Sequence, residues 1–233
     1  MTDQPFHIVF AIYPGMTHLD FTGPHQFLSR TPNSIVTVAS PAGGDVAADG
    51  LTFAGTTRLA DVERCDLICV PGGVVATKVA QDPAFIEPLR RLAGGARYVT
   101  SVCTGSLILG AAGLLQGKRA ACHWAWRELL PLFGAIPDEG RVVRDGNLIT
   151  GGGVTAGIDF ALVVLEEIAG REVAQTIQLG LEYAPAPPFE AGRPELAPTA
   201  VLERYNAIFS KMMPGRLAEA KAAALGLAAF AQA

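Results

Sequence analysis

The chain has 233 residues, of which half are hydrophobic and 17% are charged, and its formal net charge is −4. This composition indicates a compact globular protein and differs from that of a disordered chain. The acidic balance argues against nucleic acid as the main partner, because binding to phosphates requires a basic surface. No apolar run reaches about 18 residues, the length that predicts a transmembrane helix.

The length suits one α/β domain, and no internal repeat is visible. We therefore expect a single domain over residues 1–233, with a helical C-terminal tail from about residue 199. The N-terminus shows no basic segment followed by an apolar core, because Asp3 and Pro5 lead straight into a strand-like pattern. This pattern favours a cytoplasmic protein that is not bound to a membrane.

Apolar runs and turn residues predict strands that alternate with helices. The predicted strands lie at 7–12, 35–39, 51–53 and 66–70, in a run that ends at Val102, at 119–122, and in a hairpin over 141–150 with Asp145-Gly146 at its turn. The predicted helices begin near His25, at Asp82, after Cys103 and after Trp126, cover 154–168 and 171–182, and form two short helices in the tail. Pro88 predicts a kink or a new start in its helix. This order indicates an open, mostly parallel sheet with helices on both faces.

The stretch 97–106 carries the clearest candidate for chemistry. An apolar run ends at Val102, Cys103 follows, and Thr-Gly-Ser leads into a predicted helix. A strand that stops at a cysteine just before a helix resembles a nucleophile elbow, in which the helix N-terminus favours a thiolate. Cys103 could equally be a small buried hydrophobe, which is the usual state of a free cysteine.

Other polar residues follow the ends of neighbouring predicted strands, where sites form in open α/β sheets. Asp20 is the best carboxylate partner for Cys103, although an Asp in this position could also be a helix N-cap. Gly72 and Gly73 could present backbone N–H groups to a developing negative charge, or could simply form a tight turn. His123 could be a partner of the cysteine, or a packed residue beside two tryptophans.

The four cysteines show neither a CxxC pair nor the spacing of a zinc site. We expect all of them to be reduced, with Cys65 and Cys69 as packing residues, and we predict no metal site. The triple glycine at 151–153 lacks the GxGxxG spacing, so a dinucleotide-binding role is not expected.

Five segments together carry a family resemblance. They are Leu-Asp-Phe-Thr-Gly-Pro at 19–24, Val-Pro-Gly-Gly at 70–73, Ser-Val-Cys-Thr-Gly-Ser at 101–106, Cys-His-Trp at 122–124, and Thr-Gly-Gly-Gly-Val-Thr-Ala-Gly-Ile-Asp at 150–159. With them, the chain resembles the ThiJ/PfpI family of the class I glutamine amidotransferase-like superfamily from about Phe6 to about Pro188.

The resemblance implies a flavodoxin-like three-layer sandwich with a mostly parallel central sheet, a homodimer and no cofactor. It is strongest to the members that add water to an isonitrile to give an N-substituted formamide. The family's nucleophile corresponds to Cys103, its acidic partner to Asp20, and the residue after the nucleophile to Thr104. Protease-like relatives carry His at the position of Thr104, which counts against a peptidase. Regulators in the family add a DNA-binding domain, and we expect none here.

For such a reaction, we expect Cys103 to attack as a thiolate and Asp20 to supply a proton, giving a thioimidate that water then hydrolyses. Thr104 and the amides of the Gly72–Gly73 loop would hold the substrate or stabilise charge. Val154 would pack near the site, and apolar side chains of a partner subunit would wall the pocket. Three alternatives keep the fold: a stress-response protein whose Cys103 oxidises to sulfinate, a glyoxalase-like enzyme, and a ligand-binding module with an inert cysteine.

Overall fold

The computed structural model describes residues 4–230, and its centre is an eight-stranded sheet. The strands of the described chain are β1 Phe6–Ala11, β2 Ser34–Ser40, β3 Gly44–Ala48, β4 Leu51–Arg58, β5 Leu67–Val70, β6 Tyr98–Val102, β7 Arg119–Ala120, β8 Ile136–Pro137, β9 Val142–Asp145 and β10 Leu148–Gly151. The order across the sheet is β3-β4-β2-β1-β5-β6-β10-β9, while β7 and β8 pair separately.

The sheet is parallel from β4 to β10, and an antiparallel pair closes each edge. The chain runs from β1 to β2 on one side and returns to β5 and β6 on the other. The strand order therefore reverses between β1 and β5, which is where open sheets of this kind form their ligand sites. The predicted open, mostly parallel α/β sheet is confirmed.

Helices cover both faces of this sheet. They are α1 His18–Leu28, α2 Ala76–Val79, α3 Pro83–Gly95, α4 Gly105–Ala111, α5 Ala156–Ala169, α6 Arg171–Gly180, α7 Thr199–Phe209 and α8 Met213–Phe230. One layer holds α1, α5 and α6, and the other holds α2, α4 and α8 together with a 3-10 segment at Arg127–Phe133. The Arg90 guanidinium of α3 donates to the carbonyls of Ala111 and Ala112, which ties α3 to the end of α4.

The central strands are buried on both faces, as continuous apolar runs predict for parallel strands between two helical layers. All four residues of β5 and of β10 are buried, as are residues 8–11 of β1. The core therefore lies on both sides of β1, β5 and β6, and it holds their carboxyl ends rigidly at one edge.

Two local predictions are wrong. α3 runs unbroken through Pro88, because the burial of Phe85, Leu89 and Leu92 on one face outweighs the loss of one backbone hydrogen bond. In the hairpin of β9 and β10, Asp145 pairs with Leu148. The two loop residues are therefore Gly146 and Asn147 rather than Asp145 and Gly146.

The predicted edge element at 51–53 is longer than expected, because β4 continues to Arg58 and pairs with β3. Asp49 and Gly50 connect these strands, both with positive φ, of 48° and 80°. Asp-Gly is the usual sequence of such a hairpin turn. The sequence contains this turn signal, but it did not predict β3 because the Gly, Asp and Ala residues of that strand have low strand propensity.

The tail contains two helices that separate near Pro214, as predicted, but α8 has 18 residues and is not short. Ala220 and Ala223 are buried where α8 packs on α2 and α4, so the tail belongs to the helical layer. Within residues 4–230, no helix has both the length and the apolar character that crossing a bilayer requires.

Candidate active site

Cys103 stands directly after β6 in a strained conformation, with φ at +58°. Its N–H group donates to the carbonyls of Gly151 (3.1 Å) and Gly152 (2.8 Å), so the turn is held against the end of β10. A Cβ at Gly105 would lie 2.2 Å from the Val70 carbonyl oxygen, so only glycine allows α4 to begin this close to β5. The predicted elbow is confirmed in its backbone geometry.

Thr104 connects the elbow to the loop after β5. Its hydroxyl accepts a hydrogen bond from the Gly73 N–H (2.8 Å) and donates one to the Gly73 carbonyl (2.9 Å). The side chain is 2% exposed. Both directions of hydrogen bonding are thus used inside the protein, and the hydroxyl positions the 71–73 loop beside Cys103.

Asp20 lies in the first turn of α1 and is fully buried, with 0% of its surface exposed. It is not an N-cap, because Thr17 precedes the helix and the Asp20 Oδ2 atom accepts a hydrogen bond from Gly72 N–H at 2.9 Å. Oδ1 is buried and has no hydrogen-bond partner among the described residues. Burial raises the pKa of this carboxyl from 3.8 to about 7, against the opposing effects of the Gly72 N–H and the Cys103 thiol.

The Cys103 thiol is 4% exposed, and burial raises its pKa well above the usual value of 9.0. The charges of Asp20 and Cys122 raise the pKa further, while hydrogen bonds from the backbone N–H groups of Val154 and Thr104 lower it. Burial is the largest of these effects, so the net shift of the thiol pKa is upward, opposite in direction to the effect expected from the helix N-terminus.

The amides of Gly72 and Gly73 are already engaged. Gly72 N–H donates to Asp20, and Gly73 N–H donates to Thr104. A Cβ at Gly72 would lie 2.5 Å from the Thr104 nitrogen and 2.8 Å from the Asp20 Oδ2 atom, so this loop is packed tightly against both side chains. In this arrangement the two amides hold the site together, and the Val154 and Thr104 amides are the ones that reach the sulfur.

Tyr13 is a site residue that the sequence interpretation missed. It is 1% exposed, and its hydroxyl donates to the Pro71 carbonyl at 3.0 Å. Burial raises the pKa of this phenol well above its usual value, and the charges of Asp20 and Cys103 add to the effect. Tyr13 immediately precedes Pro14 at the carboxyl end of the first predicted strand, and that position was the available signal.

His123 lies at the border of the site. Its ring stacks on Trp124 with centroids 5.8 Å apart, and its Nδ1 accepts from the Ala125 N–H at 3.3 Å. Burial lowers the pKa of the imidazole. Among the described hydrogen bonds none joins His123 to Cys103 or Asp20, and this geometry is that of a packed residue.

A cleft of about 640 Å³ opens on the outer side of His123 and Val154. Its lining includes the side chains of Arg127, Glu139 and Arg141. Cys103 itself does not line this cleft, whereas Gly152, whose carbonyl accepts a hydrogen bond from the Cys103 N–H, does.

The other three cysteines are buried free thiols, so Cys65 and Cys69 are packing residues as predicted. Burial raises the pKa of Cys65, Cys69 and Cys122 to about 12 in each case. Across residues 4–230, no group of three or more His, Cys, Asp or Glu side chains is arranged to hold a metal ion.

The sequence profile of the DJ-1/PfpI family matches residues 7–167, a span that contains Asp20, Gly72, Cys103 and Val154. The chain belongs to the DJ-1/PfpI family. The resemblance seen in the sequence motifs is confirmed, and the described sheet is that of a DJ-1/PfpI protein.

Three proteins similar to this DJ-1/PfpI chain align with most of its length. A protein of Pseudomonas putida named isonitrile hydratase is 49% identical over 223 residues, which is 94% of this chain and 98% of the relative. The crystal structure of a ThiJ/PfpI family protein from Pseudomonas syringae superposes with a TM-score of 0.89 at 38% identity, over 94% of this chain and 90% of that one. The structure of Drosophila melanogaster DJ-1beta is more distant, with a TM-score of 0.67 at 26% identity over 78% of this chain and all of that one.

Proposed function

We propose that this protein adds water to isonitriles and releases N-substituted formamides. The observation that carries the proposal is the pairing of a thiol on a strained elbow with a fully buried carboxyl, Cys103 and Asp20, in a chain 49% identical to a protein named isonitrile hydratase. The likeness to that relative covers nearly the full length of both proteins.

The first step is the addition of the thiol to the isonitrile. The terminal carbon of R–N≡C accepts a nucleophile and must gain a proton as the new bond forms. Asp20 takes the proton from the Cys103 thiol, the sulfur bonds to the carbon, and the carboxyl passes the proton to that carbon, giving the thioimidate R–N=CH–S–Cys. The N–H groups of Val154 and Thr104 stabilise the negative charge on sulfur during this transfer.

The second step is hydrolysis of the thioimidate. Asp20 takes a proton from a water molecule, whose oxygen bonds to the carbon, and the carbon–sulfur bond breaks. One water proton ends on the nitrogen and the other restores the thiol, so the products are R–NH–CHO and the original cysteine. No cofactor takes part in either step.

The pKa of Asp20 suits this double role. A carboxyl that titrates at about 7 is present in both protonation states near neutral pH, so the base and acid forms that the two steps need are both populated. An ordinary surface Asp with a pKa near 3.8 would be a poor proton donor to carbon at that pH.

The burial of Cys103, which is 4% exposed, argues against the sulfinate-forming stress-response alternative, because oxidation favours solvent-accessible cysteines. Activity assays with an isonitrile and with methylglyoxal distinguish the proposed hydratase from the glyoxalase-like enzyme and from a ligand-binding module without activity.

The expected homodimer and the cytoplasmic location stay predictions. Light scattering on the purified protein would measure the oligomeric state.

The test is detection of N-cyclohexylformamide from cyclohexyl isonitrile by chromatography, with wild type, Cys103→Ala and Asp20→Asn. Cys65→Ala is the matched control, because Cys65 is also a buried cysteine but lies outside the site. We expect turnover in wild type and in the control, and loss of at least about a thousandfold in the two site variants.

Formation of lactate from methylglyoxal without formation of formamide would replace the proposal with the glyoxalase-like alternative. Full activity in Cys103→Ala would remove the covalent mechanism, whatever the substrate.

A further inference from the structure

Helix α7, the first helix of the C-terminal tail, brings two aromatic side chains to the border of the active site. Tyr205 lies against Trp124 with ring centroids 5.0 Å apart, and it stacks on Phe209 at 5.9 Å. Phe209 in turn meets Trp126 edge-on at 5.5 Å. We call these four residues the aromatic wall. The sequence predicted only that this tail is helical, because the family resemblance ends at about Pro188.

The aromatic wall is connected to the nucleophile through His123. Trp124 stacks on His123, and a Cβ at Gly153 would lie 2.9 Å from the His123 ring. The preceding residue of that loop, Gly152, accepts a hydrogen bond from the Cys103 N–H at 2.8 Å. The wall therefore begins beside the loop that holds the nucleophile. Burial raises the pKa of the Tyr205 phenol, and so does the charge of Cys103.

Tyr205 differs from the other three tyrosines of the chain. The hydroxyls of Tyr13, Tyr98 and Tyr183 all donate to oxygen atoms of the protein. Among the described hydrogen bonds, none involves the Tyr205 hydroxyl, and 38% of the residue is exposed. Its ring packs against Trp124 and Phe209, and the part of the side chain that stays exposed can contact a small molecule.

We propose that Tyr205 is a substrate-contact residue whose ring selects isonitriles with a flat aromatic substituent over isonitriles with an aliphatic ring of equal size. The inference rests on the proposed function, because it concerns the R group of the molecule that reacts at Cys103. Offset or edge-on aromatic contacts add stabilisation beyond that of apolar burial, which a saturated ring cannot gain.

The variants are Tyr205→Ala, which removes the ring, and Tyr205→Phe, which keeps it without the hydroxyl. Ile208→Ala is the control, because Ile208 is an apolar residue of the same helix that is 61% exposed. The measurement is the ratio of kcat/KM for phenyl isonitrile to that for cyclohexyl isonitrile.

We expect Tyr205→Ala to lower this ratio about tenfold, mainly through a higher KM for the phenyl compound. Tyr205→Phe and Ile208→Ala should keep the ratio within about twofold of wild type. An unchanged ratio in Tyr205→Ala would overturn the inference, and so would an equal loss in the Ile208 control.

A binding measurement keeps this test separate from the test of function. The Kd values of N-phenylformamide and N-cyclohexylformamide are measured by NMR titration with wild type and the same variants, without turnover. If wild type prefers N-phenylformamide and only Tyr205→Ala loses this preference, the result supports contact between Tyr205 and the R group, even if no isonitrile is hydrated. Equal or undetectable binding of the two formamides to wild type refutes it, even if hydration is observed.

Discussion

Asp20→Asn removes a buried carboxyl with little change of shape, and its effect on stability should depend on pH. The asparagine oxygen can still accept the hydrogen bond that Gly72 N–H makes to Oδ2. The amide nitrogen would replace Oδ1, which has no partner among the described residues, so the substitution carries a cost of about 1–3 kcal/mol that does not vary with pH.

The pH-dependent part has a definite sign. The carboxyl titrates at about 7 in the folded protein and near 3.8 in the unfolded chain, so between these values the folded state binds the extra proton. Wild-type stability therefore falls as pH rises through this window, and the full cost is reached above pH 7. A difference of about 3 in pKa corresponds to about 4 kcal/mol at 1.36 kcal/mol for each tenfold change.

Asparagine has no such titration, so the free energy of unfolding of Asp20→Asn should rise relative to wild type by about 3 kcal/mol between pH 5 and pH 8. The assay is urea unfolding in reducing buffer at several pH values, followed by tryptophan fluorescence. Asp138→Asn is the matched control, because the Gly140 N–H and Arg119 lower the pKa of Asp138. The ionised Asp138 carboxylate therefore stabilises the folded protein fully above about pH 4, and this stabilisation is lost only at lower pH. Asp138→Asn should accordingly be destabilised by the same amount at pH 5 and at pH 8.

A stability difference between Asp20→Asn and wild type that stays constant from pH 5 to pH 8 would falsify the raised pKa of Asp20. The double role that we propose for the carboxyl would then lose its basis. A site that stabilises the ionised carboxylate would give this constant difference, as for Asp138, because its pH dependence would lie below about pH 4.

Two further substitutions test the architecture of the elbow. Gly105→Ala would place a methyl group 2.2 Å from the Val70 carbonyl oxygen, and we expect a loss of at least about 3 kcal/mol in urea unfolding, since backbone must move. Thr104→Val removes both hydrogen bonds to Gly73 and should cost about 1–3 kcal/mol together with turnover, whereas Thr104→Ser keeps the hydroxyl and should stay within about 1 kcal/mol of wild type. Equal stability and turnover in the Val and Ser variants would show that the hydroxyl does not hold the loop.

Local patterns predicted most of the sheet because its strands are buried on both faces and so consist of uninterrupted apolar runs. The same patterns failed where weak local signals were overruled by packing. Pro88 stays inside α3 because one face of that helix is buried, and β3 forms from poor strand residues because β4 pairs with it. The unfavourable propensity of a proline or an alanine is visible in the local sequence. The packing that compensates for it involves residues from distant parts of the chain.

The amino-acid sequence by itself determined the parallel sheet, the position of Cys103 after a central strand, and the placement of Asp20 at the same sheet edge. Only the tertiary structure decided that burial raises the pKa of Cys103, that the Gly72 and Gly73 amides hold neighbouring side chains, and that Tyr205 of the tail packs on Trp124. The physical reason is that a strand end follows from local residue order. Desolvation of a charge and saturation of a hydrogen bond depend on which groups surround it in space.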